Sequence, residues 1–176
     1  MIILGLVFKH RCRFVLKTII KVVSNIMQSH ELDVIRVMIV DDHRTMRMII
    51  RDLLKQNGIT QVSEACDGAQ ALETIKNAEF PPDVVICDLH MDGMDGLAFC
   101  QKVRMSKTNQ TKDIKVIILT GDHDQLMHEI CKQVGAISIL TKPVSYEVLG
   151  NEIYHAVGFG RQYIEELVPQ ELAVAQ

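Results

Sequence analysis

The sequence predicts an α/β fold: a single, doubly wound domain built on a five-stranded parallel sheet. Two observations lead to this prediction. Short, continuous apolar runs of the buried-strand type recur along the chain, and each is followed by a segment with helical periodicity. Strands that alternate with helices need crossover connections, which cover both faces of a parallel sheet.

The first two strands and helices lie in the region up to residue 78. Residues 37–40 form an apolar run that predicts the first strand. The segment 45–57 has apolar side chains at helical spacing, and Gly58 follows it where a left-handed cap is favoured. A second strand is predicted at 59–65 and a second helix over 67–78.

Three further strand and helix pairs complete the pattern. The strands are predicted at 84–87, 116–119 and 137–140. The helices are predicted at 97–103, near 125–134, and after Ser145, which is suited to an N-cap. The side chains expected to face the core from the last two helices are Leu126, Ile130, Val134, Val148, Leu149, Ile153 and Val157.

Composition is that of an ordinary globular protein, with 48% hydrophobic and 23% charged residues. The net charge of −3 indicates neither a nucleic-acid binder nor a protein with an acidic tail. The five cysteines are odd in number, widely spread and not at zinc-ligand spacing. They are predicted to be reduced thiols, which favours a cytoplasmic protein.

The strands and helices form one domain, predicted at residues 34–158, and segments of different composition flank it. Residues 1–33 form a basic, apolar N-terminal extension without a run of the roughly 20 apolar residues that a transmembrane helix needs. Three interpretations of it stay open: a poorly ordered extension, which we favour, a basic amphipathic helix on a partner or membrane surface, or an extra packed helix. Residues 159–176 are predicted to be a tail with room for one short helix and none for a DNA-binding output domain.

Polar side chains stand where the predicted strands end. They are Asp41 and Asp42 after the first strand, Asp88 after the third, Thr120 after the fourth and Lys142 after the fifth. Open parallel sheets bind ligands outside the carboxyl ends of their strands. We therefore expect three carboxylates, one hydroxyl and one amine to converge on one edge, which we call the carboxyl-end rim.

Three carboxylates at one rim repel one another, by about 4 kcal/mol for each pair at 4 Å and an effective dielectric of 20. A cation relieves that repulsion, and a carboxylate set without imidazole or thiolate selects a hard ion such as Mg²⁺. Such an ion can hold a phosphoryl group against one free carboxylate, giving an acyl phosphate. Thr120 and Lys142 can supply a hydrogen bond and a charge to the phosphoryl oxygens.

These features resemble the receiver domains of two-component response regulators, in particular the stand-alone CheY-like type. The resemblance lies in the acidic pair with the helix start after it, the loop around Asp88, and the segments 119–121 and 141–143. It covers about residues 34–158 and implies a flavodoxin-like fold. It also implies phosphorylation by a histidine kinase or a phosphotransfer protein, a downstream protein target of the flagellar or chemotaxis kind, and no nucleic acid.

The resemblance also implies a role for each residue of the rim. Asp88 would be the phosphoacceptor and a metal ligand, Asp42 would bind Mg²⁺ directly and Asp41 through water. His90 would lend its backbone carbonyl to the ion. On phosphorylation Thr120 would move toward the phosphoryl group and Lys142 would pair with it. The Lys142-Pro143 peptide would be cis. The face of the fourth helix, fifth strand and fifth helix would then repack for a partner.

Two departures from the family pattern stand out. Asp92 occupies a position that is usually proline, and Ile139 occupies the position of a usual switch aromatic. The aromatic half of the family's switch is therefore in doubt, while the Thr120 half is retained. The other histidines, His43 among them, have no common spacing and are predicted to be surface groups.

Four functions compete for this sequence. The favoured one is a non-enzymatic phosphoacceptor switch that assists its own phosphorylation and dephosphorylation. A phosphorelay intermediate, which passes the phosphoryl group onward, is a close variant. A phosphatase of the haloacid-dehalogenase type is less favoured, because His90 stands where those enzymes carry a second acid. A degenerate receiver used only for protein binding is disfavoured by the complete set of rim residues.

Overall fold

The computed structural model describes residues 35–158 of the chain. The N-terminal extension predicted at 1–33 and the tail predicted at 159–176 lie outside the described residues. Within 35–158, no helix combines the length and the apolar character that crossing a bilayer requires.

Five strands form one sheet in which every neighbouring pair is parallel. They are β1 (Arg36–Val40), β2 (Gln61–Ala65), β3 (Val84–Asp88), β4 (Lys115–Thr120) and β5 (Ser138–Thr141). Their order across the sheet is β2-β1-β3-β4-β5. The chain therefore winds outward from β1 first to one edge and then to the other, which confirms the doubly wound fold and places a switch point between β1 and β3.

Six helices connect and follow the strands. They are α1 (Arg44–Gln56), α2 (Gly68–Asn77), α3 (Gly96–Arg104), α4 (Asn109–Lys112), α5 (Gln125–Gln133) and α6 (Tyr146–Ala156). Five of them match the predicted helices to within a few residues. The exception is α4, whose four residues are too few to show a helical period in the sequence. The predicted fourth and fifth helices are thus α5 and α6.

The core lies on both faces of the three central strands. All five residues of β3 are buried, as are the last four of β1 and the last five of β4. Burial on both faces explains why these strands are continuous apolar runs without alternation. Phe99 from α3 and Cys131 from α5 are fully buried against one face, and Leu149 and Ile153 from α6 are fully buried as well.

Strand β2 begins later than predicted, and the way in which α1 ends explains this. After α1 the N–H of Ile59 donates to the carbonyl of Leu54 and the N–H of Gly58 to that of Lys55. This is a Schellman ending, with Gly58 at a φ of 74°. Ile59 is therefore used by the helix cap, and β2 begins two residues further on. The same bonds from Gly135 and Ala136 close α5.

In each of α5 and α6, one residue that was predicted to face the core is exposed. Leu126 and Val148 are 68% and 46% exposed. In α5 the buried residue is Cys131, with Met127 and Val134 packed against the core beside it. The apolar face is thus rotated by about one residue from the predicted one, because two sets of side chains with helical spacing overlap in this segment.

Helix α1 is tied to α6 at its C-terminal end. The side-chain amide of Asn57 donates to the carbonyl of Leu53 and, 2.8 Å away, to that of Tyr146. Tyr154 is buried, and its hydroxyl donates to the carbonyl of Asn57. A glycine at position 150 makes room for this amide, since a Cβ there would stand 2.0 Å from Oδ1 of Asn57.

Candidate functional site

The parallel register brings the rim residues together. Val40 of β1 lies opposite Cys87 of β3, so Asp41 and Asp88 leave the sheet side by side. On the other side of β3, Thr120 ends β4 and lies opposite Thr141 of β5. Lys142 follows directly, and its N–H donates to the carbonyl of Thr120 at 2.7 Å.

Three acidic residues of the rim form one cluster. Asp41, Asp42 and Asp88, together with His43, offer ligand atoms that all lie within 4.8 Å of one another. Asp41 is fully buried and Asp88 is 8% exposed. Charges this close and this poorly solvated repel one another strongly, so the site needs positive charge.

Lys142 supplies part of that charge. Its ammonium group lies 3.0 Å from Oδ2 of Asp41 and 3.0 Å from Oδ1 of Asp88. Burial disfavours the charged amine, but the hydrogen bonds and attraction of the two carboxylates outweigh it and raise the pKa of Lys142. The Lys142-Pro143 peptide is cis, as predicted.

Asp42 is placed differently from its neighbour. Its Oδ2 accepts the backbone N–H of Asp92 at 3.2 Å, and that hydrogen bond is the main cause that lowers the pKa of the Asp42 carboxyl. Its Oδ1 is buried and has no hydrogen-bonding partner among the described residues. The Nδ1 atom of His43 stands 2.5 Å from Oδ1 in an ion-pair contact. Burial raises the pKa of the Asp42 carboxyl, whereas the nearby His43 lowers it further.

Backbone contacts hold the acidic turn in place. Oδ1 of Asp41 accepts the N–H of His43 at 2.8 Å, which closes a tight turn after β1. The guanidinium group of Arg47, on the first turn of α1, donates to the carbonyl of Asp41 at 2.8 Å and to Glu64 of β2. Helix α1 and strand β2 therefore both help to orient the two acids.

Thr120 is fully buried, and its hydroxyl accepts the backbone N–H of Asp122 at 2.9 Å. The carboxylate of Asp122 accepts the N–H of Asp124, which in turn caps α5 through the N–H of Leu126. The hydroxyl of Thr120 is thus the first member of a chain of hydrogen bonds that leads from the rim to α5.

The structure places the remaining predicted residues at the same edge. His90 is exposed in the loop after β3, and the metal-binding role of its backbone carbonyl stays a prediction. Asp92, the departure from the usual proline, is also exposed. Its backbone N–H donates a hydrogen bond to Asp42, which a proline at this position could not do.

His43 is the residue that sequence reasoning missed. It was grouped with surface histidines, and its side chain is indeed 73% exposed, yet its Nδ1 belongs to the acidic cluster. The position of this imidazole beside the acids was not predicted from the sequence. The sequence offered one signal, the position of His43 directly after the acidic pair, but side-chain direction at a helix start is not readable from spacing alone.

The residues present fit a divalent cation. The carboxylates supply oxygen ligands of the kind that Mg²⁺ prefers, and Oδ1 of Asp42, buried beside Nδ1 of His43, is an acceptor that a cation would bind. Asp41, Asp42 and Asp88 are the side chains that would hold the ion. Its charge would offset the repulsion among them and draw phosphate oxygens to Asp88.

Comparison with known proteins agrees with this geometry. The family model described as the response regulator receiver domain matches residues 37–154. The probable chemotaxis protein CheY of Rhizobium etli is 39% identical over 113 residues, which are 64% of this chain and 84% of that protein. The sensor histidine kinase CheAY of Helicobacter pylori is 35% identical over 121 residues, 69% of this chain but 15% of that protein.

A solved structure shows the same fold. The chemotaxis protein CheY4 of Vibrio cholerae is 32% identical, with a TM-score of 0.61 over 69% of this chain and 97% of that one. The match to the family model includes the five strands from Val37 onward, and the acids, the hydroxyl and the lysine of the rim lie within it. The chain therefore belongs to the response regulator receiver family and has a CheY-like receiver domain.

Proposed function

We propose that the chain is a single-domain response regulator that accepts a phosphoryl group on Asp88 with Mg²⁺ bound at the rim. The observation that carries this proposal is the position of Asp88. Its carboxylate ends the central strand, lies within 4.8 Å of two further acids and is 3.0 Å from the ammonium group of Lys142. A carboxylate in these surroundings is placed to attack a phosphoryl group and to have the product's charge offset.

In the proposed transfer, one carboxylate oxygen of Asp88 forms a bond to phosphorus as the bond from phosphorus to the donor's imidazole nitrogen breaks. The nitrogen keeps the electron pair of the broken bond. Lys142 then exchanges its contact with the Asp88 carboxylate for one with a phosphoryl oxygen. Asp42 and Asp88 would hold the cation directly and Asp41 through water, and the backbone carbonyl of His90 would be a further ligand.

Thr120 carries the signal away from the rim. Moving its hydroxyl to a phosphoryl oxygen would release the N–H of Asp122 and disturb the hydrogen bonds that lead to α5. The conformation of the surface formed by α5, β5 and α6 would change as a result, and a partner that binds there would respond to it. Exposed apolar residues there, namely Leu126, Ile137 and Val148, support a role in binding a protein partner. Ile139, which is partly buried against the core, replaces the usual switch aromatic.

The proposed donor is a histidine kinase or a histidine phosphotransfer protein in the cytoplasm, and the proposed reader is a protein target of the chemotaxis kind. The relatives named as chemotaxis proteins and as a sensor histidine kinase support this assignment. In this role the chain is a switch that assists its own phosphorylation and dephosphorylation rather than an enzyme that turns over a separate substrate.

The test is phosphorylation of the full chain by acetyl phosphate. With Mg²⁺ we expect one phosphoryl group, labile to base, and Asp88→Asn should abolish it. Asp92→Asn is the matched control, because it removes an exposed carboxylate from the same loop while keeping the backbone N–H that serves Asp42. Labelling that survives Asp88→Asn would refute the assignment.

Transfer from the phosphorylated chain to a histidine phosphotransfer protein would favour the relay variant, and continuous phosphate release from a phosphomonoester would favour the phosphatase.

A further inference from the structure

The side chain of His43 points at the cation site instead of capping its helix. His43 is the N-cap residue of α1, with the extended backbone typical of that position, but its side chain makes no cap hydrogen bond. N-cap side chains usually accept a backbone N–H of the first turn and so stabilise the helix. Here the imidazole lies beside the acids, with Nδ1 at 2.5 Å from Asp42 and 3.7 Å from Asp41.

The distances are close to those of a shared metal ion. Two ligands at about 2.1 Å from an octahedral ion are about 3.0 Å apart when adjacent and about 4.2 Å apart when opposite. Nδ1 of His43 and the three carboxylates lie within 4.8 Å of one another. Nδ1 stands 2.5 Å from Oδ1 of Asp42, so it would move away by about half an ångström for both atoms to bind one ion. The imidazole is 73% exposed, and it has room for such a shift.

We infer that His43 is a ligand that makes this cation site accept divalent transition metals, the Co²⁺ and Zn²⁺ class, in preference to Mg²⁺. Imidazole nitrogen binds these ions well, whereas Mg²⁺ takes oxygen ligands almost exclusively. With His43 the donor set has three carboxylates and one nitrogen. The inference rests on the cation site of the proposed function and adds the identity of a ligand and of the ions that it favours.

The test compares the Co²⁺ and Mg²⁺ affinities of the full chain by titration calorimetry. Only Co²⁺ that excess Mg²⁺ displaces is assigned to the rim, because the two ions then compete for one site. We expect wild type to bind Co²⁺ more tightly than Mg²⁺. His43→Asn should weaken Co²⁺ binding by about 10-fold or more and change that of Mg²⁺ by less than about threefold. His43→Gln serves as a second variant if the first fails to fold. His123→Asn is the matched control, because it removes an exposed histidine of the neighbouring β4–α5 loop.

A spectroscopic measurement identifies the ligand atom. Addition of Zn²⁺ should shift the Nδ1 resonance of His43 in a histidine ¹⁵N spectrum, while Mg²⁺ should leave it near its starting position. Equal losses of Co²⁺ and Mg²⁺ affinity in His43→Asn, or no loss, would overturn the inference and leave the proposed function standing, with His43 as a mere ion-pair partner of Asp42. Failure of wild type to bind any divalent cation at the rim would overturn both.

Discussion

Lys142 is the residue on which the electrostatic balance of the rim depends. Its single ammonium group is shared by Asp41, which is fully buried, and Asp88, which is nearly so. Ion pairs on the surface contribute little to stability, but removing one partner of a buried pair leaves an uncompensated charge. The described structure therefore predicts a large effect from a substitution that would be mild on an exposed helix.

In the absence of divalent cations, Lys142→Met should lower the free energy of unfolding by about 2 to 4 kcal/mol. This is somewhat less than the cost of removing one partner of a fully buried ion pair, because the Lys142 side chain is 21% exposed. Denaturant unfolding in a chelating buffer measures it. Lys132→Met, which breaks an exposed pair with Glu129, is the control and should cost less than about 0.5 kcal/mol. Equal effects of the two substitutions would contradict this account of the rim.

The same pair has a defined pH dependence. The pKa of Lys142 is raised in the folded protein above its ordinary 10.5, so its contribution to stability is fully present below that value. It is lost as the pH rises through the folded pKa. The difference in stability between wild type and Lys142→Met should accordingly stay constant from neutral pH to about pH 9 and shrink above 10.5. A difference that falls between pH 6 and 8 would point to another group.

At the scale of elements, Gly150 shows how one helix accommodates another. Alanine stabilises a helix interior by about 1 kcal/mol relative to glycine, so Gly150→Ala would be stabilising in an isolated α6. In the folded chain its Cβ would stand 2.0 Å from Oδ1 of Asn57, whose amide bonds to Tyr146 at 2.8 Å. The packing of α1 against α6 thus outweighs the preference of the helix.

We expect Gly150→Ala to destabilise the protein by about 1 to 3 kcal/mol, as overpacking and a broken buried hydrogen bond do. Asn57→Ala in the same chain should make Gly150→Ala neutral or stabilising, and a double-mutant cycle measures that coupling. Gly121→Ala is the control, because a Cβ there meets no atom within 4 Å. Additive effects of the two substitutions would show that the clash is not with Asn57.

Elements differ in how well their sequences predict them. The central strands were predictable because burial on both faces leaves continuous apolar runs, and the ends of α1 and α5 because Gly58 and Gly135 accept a positive φ. Leu126 was misplaced because the facing direction of a short helix depends on its neighbours in space. His43 was missed for a related reason: its side-chain direction follows from the turn that Asp41 closes after β1.

At the scale of the whole molecule, the sheet assembles a site from residues far apart in the chain. Lys142 contacts Asp41 across 101 positions of sequence. The parallel orientation of the strands was sufficient to predict that their polar carboxyl ends lie at one edge of the sheet. A ligand that binds there binds the native fold alone, and it must therefore stabilise the molecule as a unit.

Mg²⁺ should raise the unfolding midpoint of the full chain, because it should increase the free energy of unfolding by about 2.7 kcal/mol at one hundred times its dissociation constant. Above that constant the gain should rise with the logarithm of the Mg²⁺ concentration. Thermal unfolding across a magnesium series measures this, with sodium chloride at equal ionic strength as the control for screening. Asp42→Asn should abolish most of the gain, since it neutralises one of the three acids of the cluster that would hold the ion. A midpoint that does not respond to Mg²⁺ would contradict a cation site at the rim.

The strand that carries Asp88 has two others on each side of it, with β1 as its neighbour on one flank and β4 on the other. The carboxylate of Asp88, at the end of this middle strand, therefore lies between Asp41, which follows β1, and Thr120, which ends β4. In the proposed function, the phosphoryl donor would bind on the β1 side of Asp88 and the protein partner on the β4 side. The two proteins would therefore occupy different surfaces of the domain.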